Sequence, residues 1–286
     1  LKVLINGAEG QLAKALKRTL KPKSEHSVAF LSRKDWDIGD EQSTWAIVKE
    51  YQPDVLINTA AYTKVDLAEK EFSQAAMINH RALNSISSAS NQFGVRLIHV
   101  STDYVFDGLK GKPFMEDDPC FPLNNYGLTK RLGELAITRS AIDYAILRTS
   151  WLYTSTGNNF FNTILRLAKE KAEISIVSDQ VSAPTYAEDL ADTIWRIIEP
   201  CQKKIKGIYH YSNSGQASWF QFASAIVKHA GIDCVVRPIP SADYPQAAKR
   251  PGYSKLNTDK ISNQLNIDIP SWQDGLQRCW EDFKNL

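Results

Sequence analysis

The chain has 286 residues, 43% apolar and 23% charged, with a formal net charge of +2. That length allows a large core, as one big α/β unit or two lobes. The near-neutral charge points away from a nucleic-acid surface or a membrane patch. The four cysteines, Cys120, Cys201, Cys234 and Cys279, are scattered and make no metal-ligand spacing with the five histidines. Unpaired thiols in a reducing compartment, and no metal centre, are expected. Residue 1 leads straight into a strand-like run, and no apolar stretch is long enough to span a bilayer. A cytoplasmic protein is expected, and lysine runs such as Lys203-Lys204 read as solvated surface.

Lys2-Val3-Leu4-Ile5-Asn6 reads as a first strand, followed by a glycine turn and a helical face through Ala15, Leu16 and Leu20. In that context Gly7 allows the tight turn, and Gly10 lets a pyrophosphate approach the helix N-terminus. Ala13 fills the position where a small residue permits close helix–strand packing. The spacing is Gly-x-x-Gly-x-x-Ala, and a plain βα turn is the other reading. The second strand, Val28 to Leu31, ends at Ser32-Arg33. An acidic residue here would hold the ribose hydroxyls of NAD; Arg33 suits a 2′-phosphate instead, which leans toward NADP. The alternative is an exposed loop arginine. Asp37-Ile38 lies just beyond, before a helix through Trp45, Ile47 and Val48.

Asp54 to Asn58 is a third buried strand. It runs into Thr59-Ala60-Ala61-Tyr62-Thr63, where small residues let a flat cofactor pass close to the backbone. A helix with Asn79, Ala82 and Ile86 leads to a fourth strand, Val95 to Val100, which delivers Thr102. Strands alternating with helices imply a Rossmann-like doubly wound parallel sheet.

Tyr126 and Lys130 stand four apart, on one face of a helix. A lysine so placed lowers a tyrosine's pKa and makes it a general acid for a developing alkoxide. Thr102 adds a hydroxyl. By itself Tyr-x-x-x-Lys is weak, because an ordinary helix start shares it. Tyr144 to Thr149 is a further strand, running into Ser150-Trp151. The rhythm then loosens. A helix opens at Gly157-Asn158-Asn159-Phe160, a short strand follows at Ile174 to Val177, and Ala187 to Ile198 is a strongly apolar helix. A strand-like Gly207 to Tyr211, a helix from Phe220 to His229, and a final amphipathic helix complete a smaller α/β lobe. The expected division is 1–149 plus about 186–212 for the cofactor, and about 150–185 plus 213–286 for the substrate.

Together these features resemble the extended short-chain dehydrogenases/reductases and, nearly end to end, the dTDP-4-dehydrorhamnose reductase family. In the first half the resemblance lies in Asn6-Gly7-x-x-Gly10-Gln11-Leu12 and Asn58-x-Ala60-Ala61-Tyr62-Thr63-x-Val65-Asp66. It continues in Ser101-Thr102-Asp103-Tyr104-Val105-Phe106 and Asn124-x-Tyr126-Gly127-x-Thr129-Lys130. In the second half it lies in Arg148-Thr149-Ser150-Trp151, Gly157-Asn158-Asn159-Phe160, Asp179-Gln180-x-x-Ala183-Pro184-Thr185 and Arg250-Pro251-x-x-Ser254-x-Leu256-Asn257. The resemblance implies hydride transfer from NADPH to C4 of dTDP-4-dehydro-β-L-rhamnose. The product, dTDP-L-rhamnose, is a precursor of cell-surface polysaccharide such as the O antigen of lipopolysaccharide. It gives Tyr126 the role of proton donor, Lys130 that of nicotinamide-ribose ligand, and Thr102 that of partner to the reacting oxygen.

The same resemblance assigns Gly10, Gln11 and Leu12 to the pyrophosphate, Asp37 and Ile38 to the adenine side, and Ala61, Tyr62 and Thr63 to the ribose–nicotinamide wall. Asp103, Tyr104 and Trp151 match substrate contacts. Two departures stand out. Ala13 replaces a glycine, and Ser32-Arg33 replaces an acidic residue of NAD-tolerant relatives, which favours NADPH with NADH second. Some relatives dimerise with magnesium held between acidic residues; Glu188 and Asp282 are the matching pair, and two solvated carboxylates are the other reading. The competing functions are another nucleotide-sugar reductase or epimerase, and a regulatory subunit resembling the methionine adenosyltransferase β-subunit.

Overall fold

The β-branched runs pair side by side in the computed structural model, which describes residues 1–21, 25–199 and 205–286. Cys201 and Lys203-Lys204 lie outside the described residues. The first half runs β1 (Lys2–Asn6), α1 (Gln11–Thr19), β2 (Ser27–Leu31), α2 (Glu41–Tyr51), β3 (Val55–Asn58), α3 (Phe72–Ala76), α4 (Ala82–Phe93), β4 (Arg96–Thr102), α5 (Asn125–Thr138) and β5 (Tyr144–Thr149). The second runs β6 (Leu152–Tyr153), α6 (Phe160–Glu170), β7 (Glu173–Val177), β8 (Val181–Ser182), β9 (Thr185–Tyr186), α7 (Ala187–Ile198) and β10 (Gly207–His210). It closes with β11 (Ala217–Ser218), α8 (Trp219–Ala230), β12 (Val235–Ile239), α9 (Asp259–Leu265) and α10 (Trp272–Lys284).

One six-stranded sheet holds the order β2-β1-β3-β4-β5-β10, with every pair parallel. The chain starts mid-sheet, winds outward to β2, and returns past β1 to β3. That reversal opens a crevice at the carboxyl ends of β1 and β3, where open α/β sheets hold their ligands. Helices cover both faces, as expected of a doubly wound sheet. On one, Leu12 and Leu16 of α1 meet Leu190 and Ile194 of α7, with Ile261 and Leu265 of α9. On the other, Val48 of α2, Leu83 and Ile86 of α4 and Ile137 of α5 pack together. A separate cluster joins α6, α8 and α10 through Phe161, Phe222 and Trp272. Among the described residues no helix is long and apolar enough to cross a membrane.

Two differences from the sequence-based expectation stand out. The helix through Asn79 and Ile86 is broken by a π-type turn at Met77–Arg81. Asn79 lies within it, and its amide accepts from Tyr62 N (2.9 Å) and donates to Tyr62 O (3.0 Å), pinning the loop after β3. Such turns often sit beside functional loops. Second, β12 was not foreseen; it pairs in parallel with β7. Its Arg237 and Pro238 break the apolar pattern, and a two-stranded ribbon tolerates a proline on its open edge.

Candidate active site

The chain leaves β1 through Gly7, whose φ is +70°. A Cβ there would lie 2.9 Å from Thr59 Oγ1 and 3.0 Å from Ala60 N. Glycine therefore lets the turn rest on the end of β3. Asn6 stitches the same two ends, accepting from Thr59 N (2.9 Å) and Ala60 N (3.1 Å). Gly10 caps α1 without a side-chain hydrogen bond, and no acidic residue stands in the first turn. The first N–H groups of this helix thus lack protein partners and favour an anion.

A cleft of about 830 Å³ runs past that helix start. Arg33, Asp37 and Ile38 line one end, and Gly7, Gly10, Gln11 and Leu12 the floor. Ala60, Ala61, Tyr62 and Thr63 form a wall, and Thr102, Asp103, Tyr104, Tyr126, Lys130 and Trp151 the far end. The structure brings the expected set together except Ser32, whose hydroxyl turns away to Asp35 (2.6 Å). Arg33 lies 3.5 Å from Asp37 with its side chain 74% exposed, a loose surface pair that can re-form on a stronger anion. An uncapped helix start, a glycine turn and an exposed guanidinium are the donors that a dinucleotide with a ribose phosphate needs, so the site fits that cofactor.

The catalytic end is built on β4 and α5. Asn124 caps α5 by accepting from Gly127 N (2.8 Å), and Glu69 accepts from Asn125 N (2.8 Å). These bonds fix the first turn, which carries Tyr126. Burial pushes the Tyr126 phenol up to about 12; a hydrogen bond with Thr102 opposes this and the Asp103 charge adds to it. The expectation that Lys130 lowers this pKa is corrected. Lys130 Nζ is spent below, donating to Val100 O (2.6 Å) and lying 3.3 Å from His99 Nε2. Spacing put the two side chains on one face, but the carbonyl beneath takes the ammonium. Burial in turn brings Lys130 down to about 8, with Glu134 opposing. Burial also lifts Asp103 to about 7, against hydrogen bonds from Ser254 (2.5 Å) and Thr102 (3.2 Å).

The substrate end is aromatic. Trp151 sits at φ +48° and stacks on Trp219 with ring centroids 3.5 Å apart and planes at 10°. Phe160 lies 4.4 Å from Trp219, and all three line the cleft. Sequence reasoning missed Trp219. Its signal was Ser218-x-x-Gln221, a capping box that places the tryptophan at the start of α8. His99 was missed too, although a histidine inside Leu97-Ile98-His99-Val100 stands out in a buried strand. Asn159, just before α6, donates to Gln11 Oε1 (3.0 Å), joining the start of that helix to the glycine turn.

A strap of residues 249–254 is tied to residues at and around the site. Arg250 makes a two-point contact with Asp66 (3.1 and 2.7 Å), Lys249 O accepts from Asn124 (2.8 Å), and Ser254 bonds Asp103. Gly108 has φ +76°, and a Cβ there would be 2.5 Å from Pro251 Cβ. Burial, with the charge of Asp103, pushes Tyr104 up, and Arg250 opposes.

The magnesium expectation finds no support. Glu188 is paired with Arg18 and accepts from Thr154, while Asp282 accepts from the Tyr186 hydroxyl. Each carboxylate therefore has one oxygen engaged within the chain. Among the described residues no group of three or more His, Cys, Asp and Glu is placed to hold a metal.

Comparison with known proteins agrees with this geometry. A family model described as the RmlD substrate binding domain matches residues 1–285. A dTDP-4-dehydrorhamnose reductase of Burkholderia thailandensis is 37% identical over 298 residues, 99% of each chain. The spore coat polysaccharide biosynthesis protein SpsK of Bacillus subtilis is 40% identical, covering 98% of this chain and 97% of its own. A crystal structure of dTDP-4-dehydrorhamnose reductase from Bacillus anthracis in complex with NADP superimposes with a TM-score of 0.93 at 39% identity. It covers 98% of this chain and 99% of that one. A doubly wound sheet, a Thr102/Tyr126/Lys130 cleft and end-to-end similarity lead to one conclusion: the chain belongs to the RmlD family, that of the dTDP-4-dehydrorhamnose reductases.

Proposed function

We propose that this protein uses NADPH to reduce the C4 ketone of dTDP-4-dehydro-β-L-rhamnose, giving dTDP-L-rhamnose. The observation that carries the reading is the meeting of Thr102, Tyr126 and Lys130 at one end of a dinucleotide-sized cleft. The name of the Burkholderia relative and the NADP complex of the Bacillus anthracis protein support it.

The bound cofactor supplies the hydride to C4. The chain's residues handle the oxygen. Thr102 donates a hydrogen bond to it, and Tyr126 gives it the proton. A phenol near 12 is fully protonated at neutral pH, so the donor is always loaded. A developing alkoxide is more basic still, and the transfer runs downhill without the lowered pKa that the spacing suggested. Lys130, which lines the same cleft, would hold the nicotinamide ribose and lend a positive charge near the reacting groups. Gly10, Gln11 and Leu12 hold the pyrophosphate at the start of α1. Asp37 and Ile38 border the adenine, Arg33 meets the 2′-phosphate, and Ala60 to Thr63 form the wall. Trp151 lays its ring against the sugar, with Asp103 and Tyr104 facing the sugar hydroxyls.

We read residues 1–149 and about 186–212 as the cofactor lobe, and about 150–185 and 213–286 as the sugar-nucleotide lobe. The same reading puts the enzyme in the cytoplasm. The test is nicotinamide oxidation with dTDP-4-dehydro-L-rhamnose, with NADPH and NADH compared and the product sugar identified. Turnover to dTDP-L-rhamnose with a preference for NADPH is expected. Tight NADPH binding with no turnover on this sugar would overturn the reading.

A further inference from the structure

We propose that His99 is a positioning residue for Lys130: a neutral imidazole whose Nε2 receives the buried ammonium and keeps it charged beneath the reacting centre. This rests on the reductase reading, in which Lys130 serves the cofactor and Tyr126.

Asn6, Asn58 and His99 are register neighbours on β1, β3 and β4, and each is 1% exposed. A polar row inside a parallel sheet is costly unless its members are paired. His99 Nδ1 lies 2.9 Å from the Asn58 amide, and Nε2 lies 3.3 Å from Lys130 Nζ. Nζ also donates to Val100 O at 2.6 Å. An ammonium has only protons to offer, so Nε2 must face it as a bare nitrogen. A neutral imidazole then carries its hydrogen on Nδ1. That hydrogen needs an acceptor. Asn58 Oδ1 is otherwise buried without a partner, and a half-turn of the amide presents it to Nδ1–H. Asn58 thus fixes the tautomer, and the tautomer fixes the lysine.

The other charged groups around Lys130 do not replace this bond. Glu134, one turn along α5, is held by Arg148 of β5 and Arg131, each at 2.8 Å. Asp103 and Tyr126 lie on the cleft side and are bonded to Ser254 and Thr102. His99 does not compete for the proton, because burial and the adjacent ammonium both hold its own pKa well below the usual range.

The test follows Lys130 Nζ by NMR in protein carrying labelled lysine, without sugar, beside the pH profile of kcat. His99→Phe removes the acceptor; Lys130 should then titrate about one pH unit lower, and the alkaline limb of kcat should move down with it. His99→Gln, which offers an amide oxygen near the place of Nε2, should restore both. Asn58→Leu leaves the ring but frees its tautomer and should shift Lys130 in the same direction as His99→Phe. It carries the test if His99→Phe does not fold. An unmoved Lys130 titration in a folded His99→Phe or Asn58→Leu protein would overturn the inference, and so would equal shifts in the Phe and Gln variants. The lysine titration needs no turnover. Absence of sugar reduction with the expected shifts sinks the reductase reading alone, and turnover without the shifts sinks this inference alone.

Discussion

Gly127 follows Tyr126 in α5, and its Cα lies against the loop that carries Asp103 and Tyr104. In Gly127→Ala the new methyl would overlap Tyr104 O and stand 3.0 Å from that carbonyl carbon and 3.2 Å from Pro122 Cβ. Most of the obstruction is backbone and cannot rotate away. Alanine suits a helix better than glycine by about 1 kcal/mol, whereas overpacking costs about 1–3 kcal/mol. The net loss is small, and a chain of this size loses about 2–4 °C of Tm per kcal/mol. Activity should suffer far more. Relieving the overlap moves the Tyr104 loop or the Tyr126 turn by roughly 1 Å, and a misplacement of that size costs roughly 100-fold in rate. The expected signature is a Tm a few degrees lower, kcat down about two orders of magnitude, and NADPH affinity nearly unchanged, since the Gly7 turn lies elsewhere. Thermal scans, cofactor titration and steady-state rates read the three quantities. A folded Gly127→Ala protein with near-wild-type kcat would refute the claim that this contact sets the donor's position.

Tyr126→Phe should cut turnover by roughly 10²–10⁴-fold, the range of a general acid, with NADPH binding little changed in a fluorescence titration. Near-normal turnover would exclude Tyr126 as the proton donor. Arg33→Ala should weaken NADPH roughly 10-fold or more, the worth of a charge-assisted hydrogen bond, and leave NADH almost untouched. Equal losses would remove the 2′-phosphate assignment. Asp103 has a carboxyl raised to about 7 in the fold, above its unfolded value of about 3.9. The folded state therefore holds the proton more tightly, and wild-type stability falls as pH rises between those values. Asp103→Asn has no charge to desolvate, so its Tm advantage should be least near pH ~4 and widen to a plateau above about 7. A difference that does not vary with pH in calorimetry would count against a buried, titrating carboxyl.

Local chemistry was legible where residues act on their own neighbours. Gly7 and Gly10 are read from a turn between a strand and a helix, and Thr102 from the end of a buried run. Tyr126 and Lys130 could be placed on one helical face because helical spacing is fixed by geometry. The direction of the Tyr126 shift was not legible. It depends on what surrounds the phenol and on Val100 O drawing the lysine downward, neither of which spacing encodes. Ser32 was misplaced because Asp35, three residues on, captures its hydroxyl. Trp219 escaped, and the Arg250-Pro251-x-x-Ser254 motif was seen without its partners, for another reason: both reach the site through tertiary contacts, as in the Ser254–Asp103 bond across 151 residues. The π-type turn at Met77–Arg81 was not legible either, because the Asn79–Tyr62 bonds made there join residues that helical spacing does not relate.

The strap has a consequence for how the molecule is made. Arg250 grips Asp66 across 184 residues, so the grip forms only after everything between them has been synthesised. A ribosome delivers Thr102, Tyr126 and Lys130 long before it delivers Arg250 and Ser254. A nascent chain halted between them carries every reacting group without the strap's bonds to Asp66 and Asp103. Helix signal should therefore return before activity during refolding, because contacts between distant residues close slowly. Activity is thus expected to appear late, on docking of the strap, and a chain halted before it is expected to reduce no nucleotide sugar.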